Sequence, residues 1–151
     1  MSEWKECIEQ AELIFATYAK LFGESLLDIE SGDDLLEEMY FADFAILSHG
    51  VQDDPIFNFA NQFALDKFEL NWGQMIELPS RYSAEAPNRE ERKELLDRVT
   101  KYGFIDDYQG IRISSTGKRF LIKEAKVWNL VDEKGVYRGQ AAAFSKCEDL
   151  S

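Results

Sequence analysis

Lysine and arginine are missing from the whole stretch between Leu21 and Asp66, although acidic residues crowd it: Glu24, Asp28, Glu30, Asp33, Asp34, Glu37, Glu38, Asp43, Asp53, Asp54 and Asp66. The complete chain carries a net charge of −12. Phosphate-backbone binding draws its affinity from Lys and Arg, so nucleic acid is not expected as a partner. The acidic stretch is read as a solvated face, with a docking face for a basic partner as the sharper alternative. Long apolar runs are also absent, and none approaches the ~20 residues that a membrane helix needs. Glu3, Glu6 and Glu9 stand where a signal peptide would have a basic start and an apolar core. A cytoplasmic protein with no membrane partner is expected.

Cysteine and histidine are scarce as well. Cys7 and Cys147, near opposite ends, make neither a disulfide framework nor a CxxC metal knuckle. Two unlinked thiols are expected, with a bridge between the termini as the alternative, because domain termini often lie close together. His49 is the only histidine, and metal centres usually take three or four ligands, so no metal site is expected. GxxxxGK[ST], HExxH and GxSxG are all absent. No effector domain is read in these residues, so a signal is expected to pass through another chain.

What is present is material for a core. Of the 151 residues 45% are hydrophobic and 13% aromatic, with three prolines and nine glycines. One domain of this size buries roughly 70% of its unfolded surface. Trp4, Ile8, Ala11, Phe15, Tyr18 and Phe22 recur every three or four residues, which marks a helix from Ser2 to Phe22 with Gly23 supplying a left-handed stop. Asp33 and Asp34 open a short helix over LLEEMYFA. Ala45 to His49 and Ile56 to Phe59 read as strands around a Gln52–Pro55 turn. Asn61 caps a following helix, and Trp72 to Leu78 reads as another short helix stopped by Pro79. Asn88 and Glu91 have the spacing of a capping box for a long helix that ends at Gly103. Ile105–Ser114, Arg119–Val131 and Val136–Phe144 read as three long strands joined by tight turns. In the middle strand Leu121, Ala125, Val127 and Asn129 are expected to face the core, unless a bulge flips the register near Trp128.

Two short strands, helices and then a three-stranded antiparallel meander resemble the order of a PAS domain. Asn58-Phe59-Ala60-Asn61 before a helix, Thr116-Gly117-Lys118-Arg119-Phe120 and Asp132-Glu133-Lys134-Gly135 resemble the PAS Asn cap and hairpin turns, with the acid of the first turn replaced by Thr116. A closer resemblance is to the PAS-related MEKHLA domain family in a stand-alone form. Leu47-Ser48-His49, Asp54-Pro55-Ile56, Leu78-Pro79-Ser80-Arg81, Asn88-Arg89-Glu90-Glu91-Arg92, Gly103-Phe104-Ile105 and Val127-Trp128-Asn129-Leu130 carry it, over roughly Leu13 to Phe144. The resemblance implies an α+β fold with a PAS-like five-stranded antiparallel sheet, short helices on one face and an N-terminal amphipathic helix. It divides the single domain into an N-terminal helix and connection, residues 1–30, and a PAS-like core, residues 31–146. It implies a sensory, ligand-binding or protein-interaction role in signalling and supplies no reaction. Cofactors are left unknown. No cysteine lies between Cys7 and Cys147, as a flavin photosensor of the LOV type or a cinnamoyl chromophore would need, and no histidine lies on the long helix, as the haem-binding pattern would need. A noncovalent flavin or another small molecule is left open.

The ligand-binding candidates are His49, Trp72, Arg81, Trp128 and Asn129. His49 ends a strand beside Asp53 and Asp54 and can serve as a base or bond the backbone. Trp72 and Trp128 can line a pocket or fill the core. Arg81 can clamp a carboxylate, or pair with Glu85 or the acidic N-terminal face. Asn129, if inward, can orient a ligand or tie down the loop at Arg81 and Ser83. Arg112 shares a strand face with Tyr108 and Gly110 and is read as exposed. The N-terminal helix either covers the outer face of the sheet or pairs with its copy in a homodimer. Two further readings compete with the sensory module. One is a small lyase or isomerase with the nuclear-transport-factor-like cone fold, using His49 with an Asp; the other is an interaction domain whose core is completely filled.

Overall fold

A computed structural model of the chain describes the backbone of residues 2–30, 32–84 and 86–150, and their side chains apart from 2–5, 86–89 and 92. The roles expected of Trp4, Glu85 and the Asn88 side chain lie outside the described residues. Helix α1 (Ser2–Phe22) ends where Gly23 takes a φ of 73°. The acid-rich connection leads to α2 (Leu35–Tyr40), whose Asp34 cap accepts from the Glu37 amide at 3.2 Å. Strands β1 (Ala45–His49) and β2 (Phe57–Ala60) follow, then α3 (Gln62–Phe68) and α4 (Trp72–Met75). A 3-10 turn, Ser80–Ser83, leads into α5 (Ala86–Tyr102), which begins two residues before Asn88. The chain finishes with β3 (Phe104–Ile113), β4 (Arg119–Val131), β5 (Tyr137–Phe144) and β6 (Lys146–Leu150).

Asn61 does more than cap α3. Its side-chain oxygen accepts from Ala64 N at 3.1 Å and from Ile46 N at 3.0 Å. Its amide donates to the carbonyls of Met39 (3.0 Å) and Phe44 (2.8 Å). The fully buried amide is thereby satisfied, and one residue fixes α2, β1 and α3 to each other.

The strands form one antiparallel sheet in the order β2-β1-β5-β4-β3, with β6 on β4. Among the described residues the expected five strands are therefore six. Lys126 lies opposite Ala143 and Lys123 opposite Lys146, a step of three residues on each strand, so β6 continues β5 along β4 in unbroken register. Cys147 sits in β6 and is not bridged to Cys7.

The faces of β4 correct the expected pattern. Glu124 takes a left-handed φ of 50° and forms a bulge in which β4 holds one residue more than β3 between Ala125 and Ile122. Before the bulge Phe120 and Ile122 face the helices α3 to α5; after it Ala125 and Val127 do. Leu121 is therefore not on that face. The flip occurs at Glu124, four residues before Trp128, and it turns Trp128 and Leu130 to the opposite side.

On that opposite side lies α1. Ala11, Ile14 and Tyr18 pack against Ile46, Phe59, Trp128, Leu130, Ala141 and Ala143. The indole of Trp128 donates to Thr17 Oγ1 at 2.9 Å, which settles its one polar group in the core. Lys126 Nζ donates to the Tyr18 hydroxyl at 2.6 Å and pairs with Glu24 at 3.4 Å, raising the lysine pKa. The molecule is thus three layers deep: α1 and α2, the sheet, then α3 to α5. No helix is long and apolar enough to cross a membrane among the described residues.

Candidate functional site

The core on the α5 side is not completely filled. A cavity of about 70 Å³ lies between the sheet and helices α3 and α5. Leu47, Phe57, Phe68, Leu95, Leu96, Ile122, Ala125, Val127, Ala142 and Phe144 give it apolar walls, and Ser83, Tyr108, Arg112, His49 and Gln140 give it polar ones. The filled-core reading finds no support in this space.

Strand periodicity places the polar set. Tyr108, Gly110 and Arg112 are alternate residues of β3 and all three are buried. Arg112 is 7% exposed, where the sequence reading had put it at the surface. Its guanidinium lies over the Tyr108 ring, 5.1 Å from the centroid, and Nη1 donates to the Ile111 carbonyl at 2.9 Å. Gly110 makes that possible. A Cβ there would collide with the Tyr108 hydroxyl, come within 2.6 Å of its Cζ and lie 3.2 Å from Arg112 Nη1. On β1, Ala45 and Leu47 face this side and His49 continues the row, with Nδ1 3.0 Å from the Gly50 carbonyl oxygen. Gln140 is opposite His49 on β5. Ser83 is carried in by the 3-10 turn, which is tied to the start of β2 through Phe57 N to Leu78 O (3.1 Å) and Ser80 N to Pro55 O (2.7 Å).

Of the five residues singled out from sequence, His49 lines the cavity and the other four lie outside it. Trp72 is half-buried and meets Phe59 edge-on at 5.9 Å. Trp128 is on the α1 side. Asn129 faces the end of α5, where Nδ2 donates to Val99 O at 3.0 Å and Oδ1 accepts from Gln140 Nε2 at 3.0 Å. Gln140 Nε2 also reaches Leu96 O and Thr100 Oγ1, both at 3.1 Å. The two amides thereby brace the last turns of α5 at carbonyls that are already in use: Val99 O also accepts from Gly103 N at 2.7 Å and Leu96 O from Thr100 Oγ1 at 2.9 Å. Arg81 is exposed and its Nε lies 3.0 Å from both oxygens of Asp54, a bond that raises the arginine pKa.

That last pair bears on the His49–Asp reading. Asp54 is engaged by Arg81 at the surface, Asp53 is exposed, and His49 is turned inward. The sheet order also differs from a cone built on late strands, so the lyase or isomerase fold finds no support. Sequence reasoning missed Arg112 and Ser83. The signal for Arg112 was available in its alternation with Tyr108, but FIDDYQGIRI carries so many polar residues that the strand reads as an exposed edge. No group of His, Cys, Asp and Glu able to hold a metal ion occurs among the described residues.

The model of the MEKHLA domain matches residues 8–149. The chain is 27% identical over 119 residues to the homeobox-leucine zipper protein ATHB-14 of Arabidopsis thaliana, covering 78% of this chain and 14% of that protein. It is 25% identical over 128 residues to REVOLUTA of the same plant, covering 83% and 15%. The chain therefore spans about a seventh of the length of these relatives. Among solved structures, a PAS domain from Colwellia psychrerythraea superposes with a TM-score of 0.62 at 15% identity, over 76% of this chain and 92% of that one. The light-state dimer of the fungal blue-light photoreceptor Vivid superposes with a TM-score of 0.59 at 12% identity, over 86% and 91%. At these identities the likeness is one of fold.

Proposed function

The chain belongs to the MEKHLA domain family, and from that premise we propose that it is a PAS-like sensory module that binds a small molecule in the cavity beneath α5. The single observation behind the reading is the cavity itself, apolar walls with a few converging polar groups, which is the make-up of a small-molecule site. The about 70 Å³ available is well below the ~300 Å³ and more that hold a drug-sized ligand. The reading therefore favours a compact ligand over a noncovalent flavin, which the sequence left open. We take residues 31–146 as the sensing core and 1–30 as its cover. A homodimer through α1 would have to use the flank that α1 leaves outside, where Ile8 is exposed and Phe15 half-buried.

The test is a fragment screen on the isotopically labelled chain, read by amide chemical shifts. Compounds of about five to seven non-hydrogen atoms, matched to the cavity at ~10–15 Å³ per water-sized group, are expected to shift Leu95, Leu96, Tyr108 and Ile122 together. Filling the space with Ala125→Leu is expected to abolish those shifts. If no compound moves the lining residues, the small-molecule reading fails.

A further inference from the structure

Resting on the cavity reading, we infer that its ligand is a small monocarboxylate with a short apolar tail, held by Arg112. A guanidinium keeps its charge and presents five N–H donors. Arg112 is more than nine-tenths buried, yet among the described residues no carboxylate pairs with it. Among the described residues its one hydrogen bond is to the Ile111 carbonyl, and the Tyr108 ring covers one face. The remaining donors have no protein acceptor among the described residues, and they line the cavity. A buried charge is tolerable when paired and hydrogen-bonded, so an anion completes this site.

The form of the anion follows from its surroundings. One cation balances one negative charge, and the chain's net charge of −12 disfavours multiply charged guests. A planar carboxylate matches the guanidinium fork with two parallel hydrogen bonds. The Tyr108 hydroxyl stands on the same lining as a further donor, whereas the Ser83 hydroxyl already donates to the Ser80 carbonyl at 2.7 Å and His49 Nδ1 lies 3.0 Å from the Gly50 carbonyl oxygen. On the same lining Phe68, Leu95, Ile122 and Val127 offer apolar walls that a bare inorganic anion would leave unused. The volume admits about five to seven non-hydrogen atoms at the ~10–15 Å³ each water-sized group needs, which is the size of propionate to isovalerate.

The experiment uses the full chain labelled with nitrogen-15. It is titrated in parallel with propionate, isobutyrate and isovalerate, with the three matching amides, and with sodium chloride. At least one acid is expected to shift the Arg112 Nε–H signal and the Tyr108 and Ile122 amides saturably, and to bind at least about tenfold more tightly than its amide, since charge-assisted bonds are the stronger ones. Arg112→Gln is expected to remove that preference and Arg112→Lys to retain part of it; should the glutamine variant fail to fold, the wild-type acid and amide arms decide. Amides binding as well as acids would overturn the carboxylate and leave the cavity reading standing. Saturable chloride binding at Arg112 that no acid displaces would do the same. If neither acids nor amides reach the lining, both readings fall.

Discussion

Asp132 shows how a single side chain sets the end of a hairpin. Its Oδ1 accepts from the amides of Lys134 and Val136, each at 2.9 Å, and its Oδ2 from Arg138 Nε at 2.9 Å. These bonds hold its pKa below the ordinary carboxylate value, the Val136 amide contributing most. Because the folded value is depressed, the stabilisation is complete above the unfolded value of about 3.9 and is lost as pH falls through the folded one. Asp132→Asn is therefore expected to melt lower than wild type at pH 7, with the gap closing below about pH 4. Thermal unfolding at pH 7, 5, 4 and 3 measures this, and a gap as wide at pH 3 as at pH 7 would rule the carboxylate out. The turn was legible from sequence because Asp and Gly have direct turn chemistry. Arg112 was misplaced because exposure depends on what packs over a strand, here the Ser80–Ser83 turn and α5, and composition carries no trace of that.

At the scale of elements, β4 holds the main departure from the sequence reading. Strict alternation puts Leu121 inward; the bulge at Glu124 puts Phe120 and Ile122 there instead. Nothing in RFLIKEAKVWNLV marks the bulge residue, since glutamate is not a residue that prefers a left-handed φ. Its side chain reaches Lys146 on β6, the strand that the sequence did not reveal. KCEDL lacks an apolar row and reads as a polar tail; it is a strand because its backbone pairs with β4. Replacement by valine separates the two arrangements. In a regular strand Glu124→Val would stabilise through β-propensity. At a φ of 50° a β-branched residue is strained further than the unbranched glutamate, and the variant is expected to unfold at lower urea than wild type, while Glu124→Gly stays near wild type. Urea unfolding of the three chains gives the order, and valine equalling or exceeding wild type would refute the bulge.

For the molecule as a whole, the sheet is the element that both halves of the core share. Its outer face is closed by α1 and its inner face by α3 to α5, and neighbouring residues of β4 serve the two sides: Trp128 donates to Thr17 on α1, Asn129 to Val99 on α5. The overall order of elements was legible because helical and strand periodicities are strong here. Which face α1 takes was left open between a cover and a dimer contact, because an amphipathic stripe states that it must be buried and not against what. Thr17 settles the matter experimentally. It is 6% exposed, and its hydroxyl is the acceptor for the buried indole N–H of Trp128. Thr17→Val keeps the shape and removes the acceptor, so an unsatisfied buried donor should cost about 1–3 kcal/mol. Since Trp128 belongs to the same sheet as the cavity, that loss is expected to appear in one cooperative transition. Tryptophan fluorescence and far-ultraviolet circular dichroism should then shift together to lower denaturant. If helical signal were lost first, with the sheet melting at its wild-type midpoint, α1 would be an appendage and its part in the core would have to be withdrawn.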